Sequence, residues 1–509
     1  MRYAMLRTGE EYLKSLRDGR RVYIGGELVT DVTKHPAFRN AAGTYAKLFD
    51  YKRTTPGMSF EENGQRYSFY YMQPRNIEDL KFRSNGHKLL ADFSYGLLGR
   101  SPDHVSSFVT GMTLKPDIFD LSDHGFRQNI EAYYRYLRDN DLYVTYAVHP
   151  PAGAKNWSSD AKEHLFDSPS LQVIASDESG VTIHGMKMLA TGGAFVDEVW
   201  IGNLSALAPG REKEAITCAL PVATPGISLW SRKSMEAMAE SAFDNPLSSR
   251  FDESDMMLFC DQVKVPWNRI FTLGHIELSR SIYVDTAGHC FGNHQSNVRF
   301  WSKLQFILGL ANKICQSGGV RNIPAVQDTL GRLAAYEASL AAMIAGQILA
   351  FEEIGEGLVL PNRRYMYATL NWCQENYVSL CTAVRELMGG SVFQMPANVS
   401  VIHDESLNAI FEEFWSTDHE TALDRMKLYK LAWDMLGSEF ASRHLQYENF
   451  YAGPSFVVRA YSLRQAPWKK FDAIVEDFMA TYDHTTSLNP LEIVEPANTG
   501  GLTPRGITR

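Results

Sequence analysis

Between Leu171 and Trp267 apolar residues recur at every second position, whereas on either side of that stretch they recur at every third or fourth. LQVIAS and VTIHGMKML alternate around the turn DESG, the pattern of a hairpin with two unlike faces. VDEVWIGNL, ITCALPVA, ISLW, MMLFCDQVKVP and IFTLG follow, separated by Pro, Gly and Asp, and predict a small barrel or sandwich of short strands. Upstream, TGEEYLKSLRDG opens on a Thr8–Glu11 capping box and stops at Gly19. NIEDLKFRSNGHKLLADFSYGLLG and GFRQNIEAYYRYLRDNDL continue with helical spacing. Downstream, stretches near 298–316, 328–354, 365–388 and 420–448 each sustain an apolar stripe, which predicts a bundle of long helices. The expectation is a mainly α chain with a central β-barrel. An N-terminal helical domain covers 1–150, the β domain 151–278, a C-terminal bundle 279–490 and a Gly/Pro/Thr-rich tail 491–509.

Composition narrows the class of function. With 509 residues, 45% hydrophobic and 21% charged, the chain has the profile of a globular protein of two or three units. A formal net charge of −9 and the lack of a Lys/Arg run argue against a nucleic-acid partner. Six cysteines without a CxxC pair read as reduced thiols. The N-terminal MRYAMLRTGEEYLKSL has no apolar signal-peptide core, and no run approaches the ~20 apolar residues of a membrane span, so a cytoplasmic protein is expected.

The chain carries no GxGxxG after a strand and no GxxxxGK[ST], HExxH or GxSxG. A nucleotide cofactor would therefore have to be met by scattered donors and helix N-termini. In ATGGAF, Thr191, Gly192 and Gly193 offer either a hydroxyl and two open N–H groups for a flavin edge or a glycine bend in the sheet. In GRSPDH, Arg100 could hold a phenolate or carboxylate and His104 could exchange a proton near neutrality. Surface pairing and helix capping by Asp103 are the plainer readings. TYAVHPPAGAKN fixes His149 on a stiff His-Pro-Pro loop. The His289, Cys290, His294 cluster has no second half and is a poor metal signature, so no metal is expected.

Several longer blocks carry a resemblance. TGEEYLKSLRDGR, VYIGGELVTDVTKHPAFRNAA, GLLGRSPD, LATGGAF, NPLSSRFDESD, VKVPW and LGSEFASRHLQYENFYAG together resemble the oxygenase-component family of 4-hydroxyphenylacetate 3-monooxygenase, which also includes chlorophenol and tailoring hydroxylases. The resemblance runs from about Thr8 to Gly453. It implies an acyl-CoA-dehydrogenase-like fold, a homotetramer, and reduced FAD supplied by a separate flavin reductase. It also implies O₂ as co-substrate and transfer of oxygen from a flavin C4a-hydroperoxide to the position ortho to a phenol. Arg100 falls on the family arginine beside the phenolic oxygen. His104 stands where tyrosine is common, and Tyr146 where the family has histidine, so the two types are exchanged; either their roles are exchanged with them or the swap marks a different substrate. For the flavin the resemblance points to Tyr146, Ala147, Val148, Pro151, Ala152, Gly153, Ala154, Thr191, Ala452, Gly453, Pro454 and Ser455. Asn203, Ser205 and Ala206 correspond to the contact with the substrate's tail, in a loop without an evident cation. The rivals are an oxidase or dehydrogenase on the same flavin cradle, a 4-hydroxybutyryl-CoA dehydratase-like enzyme, and a non-catalytic assembly protein. The first cysteine is Cys218, too late for the dehydratase's N-terminal cluster ligands.

Overall fold

The computed structural model of the protein describes residues 6–121, 125–156, 168–482 and 484; the tail assigned to 491–509 lies outside them. The first helix, Gly9–Ser15, starts at the expected box: the Thr8 hydroxyl accepts the Glu11 N–H and the Glu11 carboxylate accepts the Thr8 N–H. Helices Arg39–Thr54, Ile77–Phe93, Asp103–Met112 and Arg127–Asp139 complete the N-terminal layer. Helices Gly288–Ser317, Pro324–Leu349 and Arg363–Met388 form the core of the C-terminal bundle. The stripe read as one helix near 420–448 is two, Ala422–Leu436 and Glu439–Asn449. The break is local chemistry: Ser438 caps the second helix through the Ala441 N–H, and Gly437 sits so close to Trp433 that a Cβ would lie 2.5 Å from the ring. No helix among the described residues is long and apolar enough to cross a membrane.

The period-two region folds as the pattern predicts, into strands Gln172–Asp177, Gly180–Lys187, Glu198–Ile201, Ile216–Pro221, Ile227–Ser231, Met256–Pro266 and Ile270–Leu273. The N-terminal part also contributes strands. Val22–Ile24 pairs in parallel with Ile227–Ser231, and the fully buried Val144–Ala147 pairs in parallel with Glu198–Ile201. The result is one six-stranded and one four-stranded sheet. A bridge between His149 and Met188 links them, and among the described residues no ladder closes either sheet on itself.

Helix Asp103–Met112 is buried along its whole length. It can approach helix Gly288–Ser317 because glycines stand at the contact: a Cβ on Gly111 would meet the Ala287 backbone at 2.5 Å, and one on Gly292 would meet the Phe108 ring at 1.8 Å. This close crossing holds the first turn of the short helix, with His104, at the junction of all three layers.

Candidate active site

The first turn of helix Asp103–Met112 is anchored by Asp103, whose carboxylate accepts the Ser101 hydroxyl and lies 2.6 Å from His87 Nδ1. An acid there also matches the positive end of the helix. Asp103 is therefore a structural group, though not the helix cap of its plainer reading: it is the first helical residue, and its carboxylate bonds Ser101 and His87 instead of the helix N–H groups. Arg100, three residues before the helix, is held by its backbone: its N–H donates to Glu253 Oε1 at 2.6 Å and its carbonyl accepts the Tyr143 hydroxyl. Its Nη1 lies 2.9 Å from His104 Nε2 and 2.6 Å from the Tyr451 hydroxyl, which is itself 3.0 Å from His104 Nε2. The guanidinium carbon is 5.1 Å from the centroid of the Tyr146 ring, and the His104 and Tyr146 rings are 5.5 Å apart. Arg100, His104 and Tyr146 thus come together as expected, with Tyr451 as a fourth member.

A guanidinium has donors only, so His104 Nε2 presents its lone pair to Arg100 and the ring proton sits on Nδ1. Burial, and then the charge of Arg100, hold the His104 pKa well below the usual histidine value. The expectation of proton exchange near neutrality is corrected: the ring stays neutral, and its buried Nδ1 has no partner among the described residues. Burial raises the Tyr146 pKa against the pull of Arg100, so its hydroxyl stays protonated. Arg100 Nε and Nη2 make no hydrogen bond among the described residues, which leaves two charged donors for a ligand oxygen.

Two of the segments expected to hold a flavin adjoin this triangle, the strand through Tyr146 and the loop after Tyr451. The Thr145 hydroxyl donates to the Thr191 carbonyl at 2.7 Å, which fixes the strand Val144–Ala147 against the ATGGAF turn. Ala147 and Val148 are buried behind Tyr146; Pro151 is half-buried, Ala152 and Gly153 are exposed, and Ala154 is buried. Ala452, Gly453, Pro454 and Ser455 follow Tyr451 directly, so its contact with Arg100 carries them to the site. Gln374 Nε2 holds the Gly453 carbonyl at 2.7 Å. Helix Ser455–Gln465 begins there without a side-chain cap; the Val457 and Val458 N–H groups go to the Pro454 carbonyl, and those of Ser455 and Phe456 have no backbone partner among the described residues. These donors suit the pyrophosphate of a dinucleotide.

The ATGGAF turn departs from one reading. The Gly192 N–H donates to the Ser254 carbonyl, the Gly193 N–H to the Ala190 carbonyl, and the Thr191 hydroxyl to Asp255 Oδ1 at 2.9 Å. The two backbone donors are spent inside the protein, and Gly192 is required by its φ of +74°. What remains for a cofactor is the pair of lone pairs on the Thr191 oxygen.

Other expected residues separate from the triangle. Asn203 is buried with its amide committed, accepting Lys187 Nζ at 2.7 Å and donating to the Glu214 carbonyl. The loop lacks a cation of its own, but the fold brings Lys187 to it. Ser205 and Ala206 are exposed. His149 is pushed down to about 4 by burial, then by Lys187. His289, Cys290 and His294 each have a separate partner: Tyr367, the Pro361 carbonyl and Gln347. The described residues contain no group of side chains fit to hold a metal. Tyr451, Tyr143 and Glu253 were missed, although NFYAG and FDESD lie within the blocks that carry the resemblance.

The chain matches the family models for the N-terminal part of 4-hydroxyphenylacetate 3-hydroxylase over residues 8–272 and for its C-terminal part over 279–480. It is 32% identical over 458 residues to the 4-hydroxyphenylacetate 3-monooxygenase oxygenase component of Thermus thermophilus, covering 88% of this chain and 92% of that one. It is 29% identical to the oxygenase component of a 4-nitrophenol 2-monooxygenase from a Rhodococcus species, covering 90% and 88%. Its structure superposes with a TM-score of 0.87, at 29% identity over 93% of this chain and 98% of the other, on the oxygenase component of 4-hydroxyphenylacetate 3-monooxygenase complexed with FAD and 4-hydroxyphenylacetate. The chain belongs to the 4-hydroxyphenylacetate 3-hydroxylase family.

Proposed function

We propose that this protein is the oxygenase component of a two-component, flavin-dependent aromatic monooxygenase that hydroxylates a phenol ortho to its oxygen, with reduced FAD from a separate reductase and O₂. The observation that carries the reading is the divided fork of Arg100: one nitrogen pins His104 and Tyr451, and two charged donors stay open beside a protonated tyrosine. Tyr146, Ala147, Val148, the loop Pro151 to Ala154, Thr191 and the loop Ala452 to Ser455 would hold the flavin. When bound, reduced FAD with O₂ supplies the oxygen atom that is transferred.

The protein's own part is to bind and polarise the ring. Arg100 Nε and Nη2 donate to the phenol oxygen, which lowers its pKa and raises electron density at the ortho carbon. Tyr146 donates from the side, and neutral His104 holds the Arg100 fork through Nε2. Burial of all three excludes water, which strengthens each contact. Asn203, Ser205 and Ala206, with Lys187 behind them, stand for the tail end of the substrate. The same reading includes a homotetramer, a cytoplasmic setting, and closure of the two sheets as the family's barrel-like middle domain.

Purified protein given reduced FAD, O₂ and a panel of phenols is expected to form catechols. Hydrogen peroxide as the sole product across the panel would favour an oxidase-like reading, and lack of reduced-FAD binding would favour an assembly protein. Arg100→Ala is expected to lose catechol formation by about a hundredfold or more while still binding FAD. The dehydratase reading finds no ligand group among the described residues.

A further inference from the structure

The FDESD segment lies outside the triangle, yet its carboxylates hold two different walls of the site. Glu253 is 1% exposed; its Oε1 accepts the Arg100 N–H at 2.6 Å and its Oε2 faces Arg443 Nη1 at 3.3 Å. Two residues on, Asp255 Oδ1 accepts the Thr191 hydroxyl at 2.9 Å, and the carboxylate is gripped by Arg443 at 2.7 and 2.9 Å and by Arg232 at 2.9 Å. Between them Ser254 is held at a φ of +48°, and its carbonyl accepts the Gly192 N–H. A non-glycine residue keeps that conformation only where its neighbours over-determine it. The Arg443 guanidinium that joins the two carboxylates lies 4.4 Å from the centroid of the Tyr447 ring, and the Arg100 guanidinium lies 5.5 Å from the same ring.

We propose that Glu253 and Asp255 are two separable positioning residues, Glu253 setting the phenol-oxygen end of the site through the Arg100 backbone and Asp255 setting the flavin end through the Thr191 hydroxyl. The proposal rests on the phenol-hydroxylase reading above. Arg100 lies outside any helix, so the direction of its fork depends on its two backbone anchors, Glu253 and Tyr143. Thr191 can present only lone pairs to a cofactor because Asp255 takes its proton in a hydrogen bond. Neither carboxylate reaches the reacting atoms.

The test uses 4-nitrophenol, whose phenolate absorbs in the visible, bound anaerobically to the protein with reduced FAD. The wild type is expected to hold the probe as phenolate at pH values where free probe is protonated. Glu253→Leu should raise the probe's apparent pKa by about one unit and leave reduced-FAD affinity unchanged. Glu253→Gln, which keeps an acceptor for the Arg100 N–H, should behave as wild type in this titration. Asp255→Ala should weaken reduced-FAD binding about tenfold and leave the phenolate signature in place. A merely structural role would move both readouts together with thermal stability, and that result, or no change in either, overturns the proposal. Should the Leu or Ala variant fail to fold, Glu253→Asp and Asp255→Ser shorten the same reach and carry the same expectations. A wild type that does not stabilise the phenolate at all would instead overturn the phenol-hydroxylase reading.

Discussion

Arg100 divides its donors between the protein and a ligand, and that division depends on Tyr451. The Tyr451 hydroxyl accepts from Arg100 Nη1 at 2.6 Å across 351 positions of sequence. Tyr451→Phe is expected to let the fork turn and to raise KM for the phenol roughly tenfold, the effect of losing about 1.4 kcal/mol from a charged hydrogen bond, with FAD affinity kept. Steady-state kinetics beside flavin titration checks this; equal losses in both would count against it. Arg100 and His104 were readable from GRSPDH set against the family blocks. Tyr451 was not, since no local pattern distinguishes it from the neighbouring aromatics Tyr447 and Phe450. The neutral state of His104 was also not readable, because it depends on burial and on the side of the ring to which Arg100 is applied.

At the level of elements, the site depends on how closely helix Asp103–Met112 crosses helix Gly288–Ser317. Gly111→Ala would place a Cβ 2.5 Å from backbone that cannot swing aside, so a loss of about 1–3 kcal/mol is expected, read as a lower denaturation midpoint. Product formation should fall with it, since His104 rides on the displaced helix. The long helices were legible because their stripes run for many turns, and the hairpins of the middle region because DESG and the Pro/Gly separators punctuate a period of two. LYVTYAV was legible as strand-like, and the strand Val144–Ala147 lies within it, but its pairing was not; Val22–Ile24 was not legible at all. A strand of three residues is too short to show a period, and both strands pair with partners far along the chain.

In the whole molecule, buried neutral histidines make folding sensitive to acid. His289 and His294 are each pushed down to about 3 and His149 to about 4, chiefly by burial, and His104 and His444 lie well below their ordinary value of 6.5. Their folded values are depressed, so the unfolded chain binds more protons and stability falls as pH drops below about 6.5. Each such group adds about 1.4 kcal/mol per pH unit until its folded pKa is reached. Thermal melts from pH 7 to 5 should show a steep loss of Tm, and a flat profile would contradict the buried neutral state. The last described helix, Trp468–Met479, has no buried residue and exposes Trp468, Phe471, Val475 and Phe478 along one face. If this face serves the proposed tetramer, Phe471→Asp with Phe478→Asp should lower the mass seen by light scattering while the isolated subunit still binds FAD. The sequence alone determined the helix–sheet–helix order, the absence of a glycine loop for phosphates and the blocks that carry the family resemblance, because periodicity and motif are local properties of the chain. Only the tertiary structure decided which donors remain for a ligand: Arg100 keeps two, whereas the ATGGAF turn spends its glycine N–H groups on Ser254 and Ala190. The physical reason is that a buried polar group takes whichever partner packing supplies, and the deciding ones here, Ser254 for Gly192 and Tyr451 for Arg100, lie tens to hundreds of residues away.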